Sequence, residues 1–174
     1  MKKRIRFIIC VLLLMSVVLS SVARAETTTT LSDGDSEWPS NNTITYCRVK
    51  FNCKVKVSHG LIFTNASVKG TSEAWYEGVG ISFSHSVKLK ASGVAISIDS
   101  SGPSASTTSD SVTISSGTLV VGKSHKITIS NVSFSALIFT TLRVTTTGSF
   151  NGINKKNGGI SMIHCEATDS MTVW

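Results

Sequence analysis

No signature of a common catalytic or cofactor site occurs in this chain. It has no Gly-x-Ser-x-Gly nucleophile turn, no phosphate-cradling Walker loop, no His-Glu-x-x-His helix and no dinucleotide fingerprint. No C-x₂-C or H-x₃-H spacing is present to seat zinc. Downstream of the N-terminus no stretch keeps a convincing 3.6-residue apolar period, which argues against a helical fold. No apolar run there approaches the roughly 20 residues a membrane-spanning helix needs. These absences disfavour an enzyme of the familiar motif-bearing classes, a zinc module and a helical membrane protein.

The N-terminus carries the first positive signal. Met1-Lys2-Lys3-Arg4-Ile5-Arg6 is a short cationic segment, and Phe7 to Leu19 is apolar apart from Ser16. Small residues follow at Ala23 and Ala25, completing the three-part plan of a secretory signal cleaved after Ala25, with Arg24 its one departure. The apolar core of about 13 residues is short for an anchor. Bulky Ile8 and Ile9 before Cys10 rule against lipidation there. Residues 1–25 are therefore expected to be a signal peptide of bacterial style, and the product to be secreted. Cleavage removes Lys2, Lys3, Arg4, Arg6 and Arg24, so the 17 basic residues fall to 12 against 10 acidic ones, a net of +2. The basic whole-chain balance is then no argument for nucleic acid. The 174 residues less 25 leave 149, enough for one domain with a sizeable core.

Residues 26–42 lack apolar periodicity and contain Thr27–Thr30, Asp33-Gly34-Asp35 and Pro39, so they are expected to form a flexible polar leader. Asp33, Asp35 and Glu37 alternate as calcium ligands do, but the glycine and other ligands of an EF-hand loop are missing. From Thr43 to Trp174 the dominant signal is period two. Cys47, Val49, Phe51, Cys53, Val55 and Val57 alternate with Arg48, Lys50, Asn52, Lys54 and Lys56, which puts apolar residues on one strand face and basic ones on the other. Val79-Ile81-Phe83 and Val87-Leu89-Ala91 repeat the pattern, and shorter versions follow. Ala136–Phe139, apolar throughout, suits a covered strand, while Ser100–Ser111 reads as a long exposed loop. Ser116-Gly117, Asn151-Gly152 and Asn157-Gly158 read as turns. Eight to ten short strands predict one all-β domain over 43–174: a single antiparallel β-sandwich, jelly-roll or Ig-like, with a barrel as the alternative.

Three cysteines remain after cleavage. Cys47 and Cys53 lie about 20 Å apart along an extended strand, whereas a disulfide needs Cα atoms within about 7 Å. Cys165 is therefore expected to pair with Cys47 or with Cys53, closing a loop worth about 4–5 kcal/mol in the chain-entropy model. Cys47, Cys53 and His59 lie too far apart on one strand to share an ion, so no metal is expected. His164 and Cys165 alternate across a strand and do not form a base–nucleophile pair.

Two features invite binding. Arg48, Lys50, Lys54 and Lys56 form a cationic stripe suited to an anionic polymer or lipid headgroup, which Lys88 and Lys90 extend if their strand lies alongside; the same lysines would also discourage edge-to-edge aggregation. Trp75-Tyr76, between Glu73 and Glu77, could stack on a sugar ring, or one ring could be core and the other rim. Glu73 and Glu77 make a weak glycosidase pair. The expectation is a secreted, non-enzymatic β-sandwich without cofactor that binds an anionic polymer, glycan or other cell-surface ligand. A small membrane-active toxin or bacteriocin-like protein is the alternative, since the alternation in Gly80–Ser116 is also what a membrane-inserting hairpin requires.

Overall fold

The computed structural model describes residues 26–39, 43–60, 62–100, 105–119 and 124–173, without the side chain of Asn131. The expected signal segment and Trp174 lie outside the described residues. The strands are β1 (Glu26–Glu37), β2 (Ile44–His59), β3 (Thr64–Gly78), β4 (Ser82–Val94), β5 (Ser97–Ser100), β6 (Ala105–Thr107), β7 (Ser111–Leu119), β8 (Ser124–Ala136), β9 (Ile138–Ile153) and β10 (Ile160–Thr172). They form two five-stranded antiparallel sheets, ordered β1-β2-β3-β8-β5 and β10-β9-β4-β7-β6. The described residues are thus all-β, and the sheets do not close into a barrel.

Period two builds the core. β2 turns Cys47, Val49, Phe51, Cys53, Val55 and Val57 inward, and all six are buried. They join one apolar cluster with Val68 and Ala74 of β3, Phe83, Val87 and Leu89 of β4, Phe134 of β8 and Leu142, Val144 and Phe150 of β9. Residues from both sheets share this cluster, so the arrangement is sandwich-like. Each fully buried Val, Leu or Phe contributes about 1.5–3 kcal/mol. Gly148 lets the two layers approach closely: a Cβ there would lie 2.6 Å from Val49 Cγ1 across the core.

Several segments differ from expectation for local reasons. Ala136–Phe139 is a corner, not the middle of a strand. The chain leaves β8 in one sheet and enters β9 in the other, with Leu137 and Ile138 exposed and Phe139 buried. Ser116-Gly117 lies inside β7, where the β4–β7 register shifts and Gly117 takes φ +67°, a bulge rather than a turn. Asn151-Gly152 is paired within β9, with Gly152 against Ser161, whereas Asn157-Gly158 forms the β9–β10 turn with Gly158 at φ +69°. Val79 and Ile81 precede β4 and are exposed. The stretch expected as a loop over Ser100–Ser111 includes β6 and the end of β5.

The largest departure is the expected leader, because residues 26–37 are strand β1, paired with β2 over twelve positions from Glu26↔Ser58 to Glu37↔Cys47. Only Leu31 among them is buried, so the strand has no apolar alternation to betray it. Its second attachment is polar. Asp33 Oδ2 accepts from the Thr168 amide (2.9 Å) and Asp35 Oδ2 from the Glu166 amide (2.9 Å). In return, the Ser32 amide donates to Asp169 Oδ2 at 3.1 Å. Carboxylates thereby satisfy edge amides of β10 that have no strand partner on that side. Replacing Asp33 and Asp35 together by alanine should lower unfolding stability in urea by about 1–3 kcal/mol. Hydrogen exchange should then accelerate at the amides of Glu166 and Thr168 while the β9–β10 ladder elsewhere stays protected.

Candidate functional site

The outer face of the β1-β2-β3-β8-β5 sheet carries the cationic stripe. Arg48, Lys50, Lys54 and Lys56 are all exposed there, as alternation along β2 requires. Register decides which charges are neutralised. Lys50 stands opposite Glu73 of β3, which stands opposite Lys126 of β8, and both ammoniums reach the carboxylate, at 2.8 and 3.6 Å. The hydrogen bond from Lys50, reinforced by both charges, holds the Glu73 carboxyl below its ordinary range. Lys56 pairs with Glu26 at 2.6 Å. Lys54, by contrast, stands directly opposite Lys69, and among the described residues no carboxylate lies within ion-pair distance of either. Like charges facing one another across a ladder destabilise it, and an anion placed between them relieves that cost.

Aromatic rings continue this face at the end where β2 begins. Trp38 and Tyr46 have centroids 4.3 Å apart, and Tyr46 and Trp75 5.1 Å. Arg48 opposes Trp75 in register and sets its guanidinium 5.2 Å from the ring centroid, a cation–π contact. Beside Trp75 a groove of about 270 Å³ is lined by Arg48, Lys50, Glu73, Trp75, His125 and Lys126. Tyr76 is not part of this surface. It alternates inward, is 5% exposed, and packs edge-on against Phe83 and Phe150. The expected Trp75–Tyr76 patch is therefore replaced by Trp38–Tyr46–Trp75.

Behind the groove lies a polar network inside the apolar core. His125 Nδ1 is 3.1 Å from His85 Nδ1, and His85 Nε2 is 2.8 Å from Ser72 Oγ and 3.3 Å from Thr146 Oγ1. The Ser72 hydroxyl also reaches Thr146 Oγ1 and the Lys50 carbonyl, while that of Thr146 reaches the Ser86 carbonyl. Ser72, His85 and Thr146 are wholly buried, each facing inward from a different strand. Burial, helped by the proximity of His125, lowers the His85 pKa to about 4. A serine hydroxyl against an imidazole resembles a nucleophile and its base. Because Ser72 is fully enclosed, no substrate reaches it, and the network satisfies polar atoms within the core.

Cys165 of β10 meets Cys47, not Cys53. The sulfurs are 3.1 Å apart, wholly buried, and come from opposite sheets. The hydrogen bond between them raises the Cys165 pKa, as does burial, and lowers that of Cys47. A carboxylate oxygen of Glu37 completes a group of three donor atoms within 4.8 Å of one another. Two thiolates at about 2.3 Å on a tetrahedral zinc would stand about 3.8 Å apart, so this pair is too tight for that ion as it stands. Burial pushes the Cys53 thiol up to about 12.

The remaining candidates disperse. Lys88 and Lys90 lie on β4 in the other sheet, with Lys90 paired to Asp110 at 3.2 Å, so they do not extend the stripe. Glu73 and Glu77 are separated by about 13 Å along one strand, and Glu73 is locked between two lysines, which suits neither glycosidase role. His164 is exposed beside Glu166 at 3.7 Å and faces away from buried Cys165. Lys69, Lys126, His125, Tyr46 and Trp38 belong to the site but give no local sequence signal; only the β1–β2–β3–β8 register gathers them. No family model, curated protein or solved structure matches the chain.

The buried imidazole makes stability depend on pH. An unfolded histidine titrates near 6.5 and the folded His85 near 4, so between those values the unfolded state holds the extra proton. Stability is full above about pH 6.5 and is lost as pH falls through that window, by up to about 3 kcal/mol. Urea unfolding at stepped pH should show this slope, and His85→Leu should flatten it.

Proposed function

We propose that the chain is a secreted, non-enzymatic β-sandwich that binds an anionic polymer or acidic glycan of a cell surface on the outer face of β2 and β3. The nested pairs β4–β7 in one sheet and β3–β8 in the other favour a jelly-roll kinship over an Ig-like one. Export to an oxidising compartment brings a disulfide to Cys165. The observation that carries the binding reading is the facing pair Lys54 and Lys69, left without carboxylate partners among the described residues, on the same face as a row of aromatic rings about 20 Å further along the strands. A polyanion would bridge the two ammoniums and Arg48, and a sugar ring would have Trp38, Tyr46 or Trp75 to lie on.

A second reading, a small secreted membrane-active toxin or bacteriocin-like protein, is favoured by a separate observation. All eleven large apolar side chains exposed among the described residues sit at the two ends of the strands. Trp38, Val79, Ile81, Ile153, Ile160 and Met162 are at one end, and Ile62, Phe63, Val94, Leu137 and Ile138 at the other. Such clusters mark surfaces that enter a membrane or meet a partner.

Retention of the purified chain on anionic cell-wall polymer should be strong at low salt and fall as salt screens exposed charge. Lys54→Ala with Lys69→Ala should weaken it about thirtyfold, at about 1 kcal/mol per cation near an anionic surface. Retention that survives salt and is competed by neutral sugar moves the site to the aromatic row. No retention, together with dye release from anionic liposomes, replaces this reading with the membrane-active one.

A further inference from the structure

We propose that Cys47 and Cys165 join as a disulfide that staples the two sheets together, leaving Cys53 as the reduced thiol of residues 26–174. The proposal rests on the export reading only for the compartment in which the bond forms. Cys47 lies on β2 and Cys165 on β10, 118 residues apart, and their sulfurs already touch at 3.1 Å. Closure to a bond of about 2.05 Å asks for a shift of about 1 Å, within reach of side-chain rotation. A shared tetrahedral zinc asks instead for the sulfurs to separate. Cys53 is excluded by position: it sits six residues along β2, buried at a different level of the core.

The reaction is thiol–disulfide exchange with a small-molecule or enzymatic disulfide as oxidant. The Cys47 thiolate attacks one sulfur of the donor, forming a mixed disulfide and expelling a thiolate. The Cys165 thiolate then attacks the Cys47 sulfur and expels the second thiolate. The two expelled thiolates take up the two cysteine protons; two cysteines lose two electrons and the donor gains them. Glu37 faces Cys47 in register, and its carboxylate oxygen lies within 4.8 Å of both sulfurs. Both sulfurs are wholly enclosed in the folded domain, so exchange belongs to the stage at which β10, the last of the described strands, docks.

The test uses the full-length chain expressed with its own N-terminus, recovered from medium and from cells, then denatured, alkylated and digested. The expected result is a Cys47–Cys165 cross-linked peptide, two hydrogens lighter than the free thiols, with Cys53 alkylated. Reductant should lower Tm by about 10 °C, as loss of a long-loop cross-link in a domain of this size implies. Cys53→Ala should keep that reductant-sensitive drop, and Cys47→Ala and Cys165→Ala should each abolish it. Three alkylated cysteines after refolding from denaturant in oxidised glutathione overturn the proposal, as does a cross-link to Cys53 or stoichiometric zinc on three alkylatable thiols. A chain that stays in cells with Cys10 attached, yet cross-links Cys47 to Cys165 once refolded from denaturant in oxidised glutathione, removes the export reading and leaves the disulfide standing.

Discussion

Everything distinctive about this molecule depends on the strict alternation of strand β2. Over Cys47–Val57 each inward residue is apolar and each outward residue is polar or basic, so a slip of one position would bury four cations and expose the core. That penalty pins the register with β1 on one side and β3 on the other. Once the register is fixed, the remaining geometry follows. Lys50 must face Glu73, Arg48 must face Trp75, and Lys54 must face Lys69. Cys47 must point across the core to the strand that carries Cys165. The cationic face and the sulfur contact are opposite sides of one constraint.

The interior is not uniformly apolar, and the exception is informative. Ser72, His85 and Thr146 place polar atoms where an unpaired one costs about 1–3 kcal/mol. They are tolerated because they satisfy one another and nearby carbonyls. A consistent assignment has His85 donating from Nε2 to Ser72 and accepting at Nδ1 from His125. His125 belongs both to this network and to the wall of the groove. The groove is thereby backed by a rigid, hydrogen-bonded wall rather than by mobile apolar side chains, which limits the conformational entropy a ligand would remove on binding.

How much of this was legible in the sequence depended on whether the signal was local. The inward set of β2, the outward stripe of Arg48, Lys50, Lys54 and Lys56, and the turn at Asn157-Gly158 follow from the chemistry of adjacent residues, and they stand where expected. β1 was illegible because it is attached by backbone pairing and by Asp33 and Asp35, with Leu31 its lone buried side chain; a polar edge strand has the composition of a linker. Ala136–Phe139 misled because an apolar run is the same in a covered strand and in a corner joining two sheets. Tyr76 and Trp75 could not be sorted into core and rim until β3 had a register. Lys69, Lys126 and His125 are long-range additions, brought to the stripe by strand pairing that no spacing along the chain encodes.

One end of the two-sheet stack concentrates the chemistry. Glu37, Trp38, Tyr46, Cys47, Arg48, Trp75 and His125 all lie where β2 begins, β3 finishes and β8 starts. A row of aromatic rings there is exposed to water at a cost, and it keeps a defined geometry because the strands beneath it are fixed. β1 is held to β10 through its aspartates, and the contact of Cys47 with Cys165 holds β2 against the same strand. Tyr46 and Arg48 flank Cys47 directly, so whatever fixes Cys47 in the core also fixes the rings and the guanidinium on the surface. The geometry of this end is therefore held by cross-sheet contacts as well as by the ladder, and the rings and guanidinium on the surface take their positions from the same residues that join the two sheets.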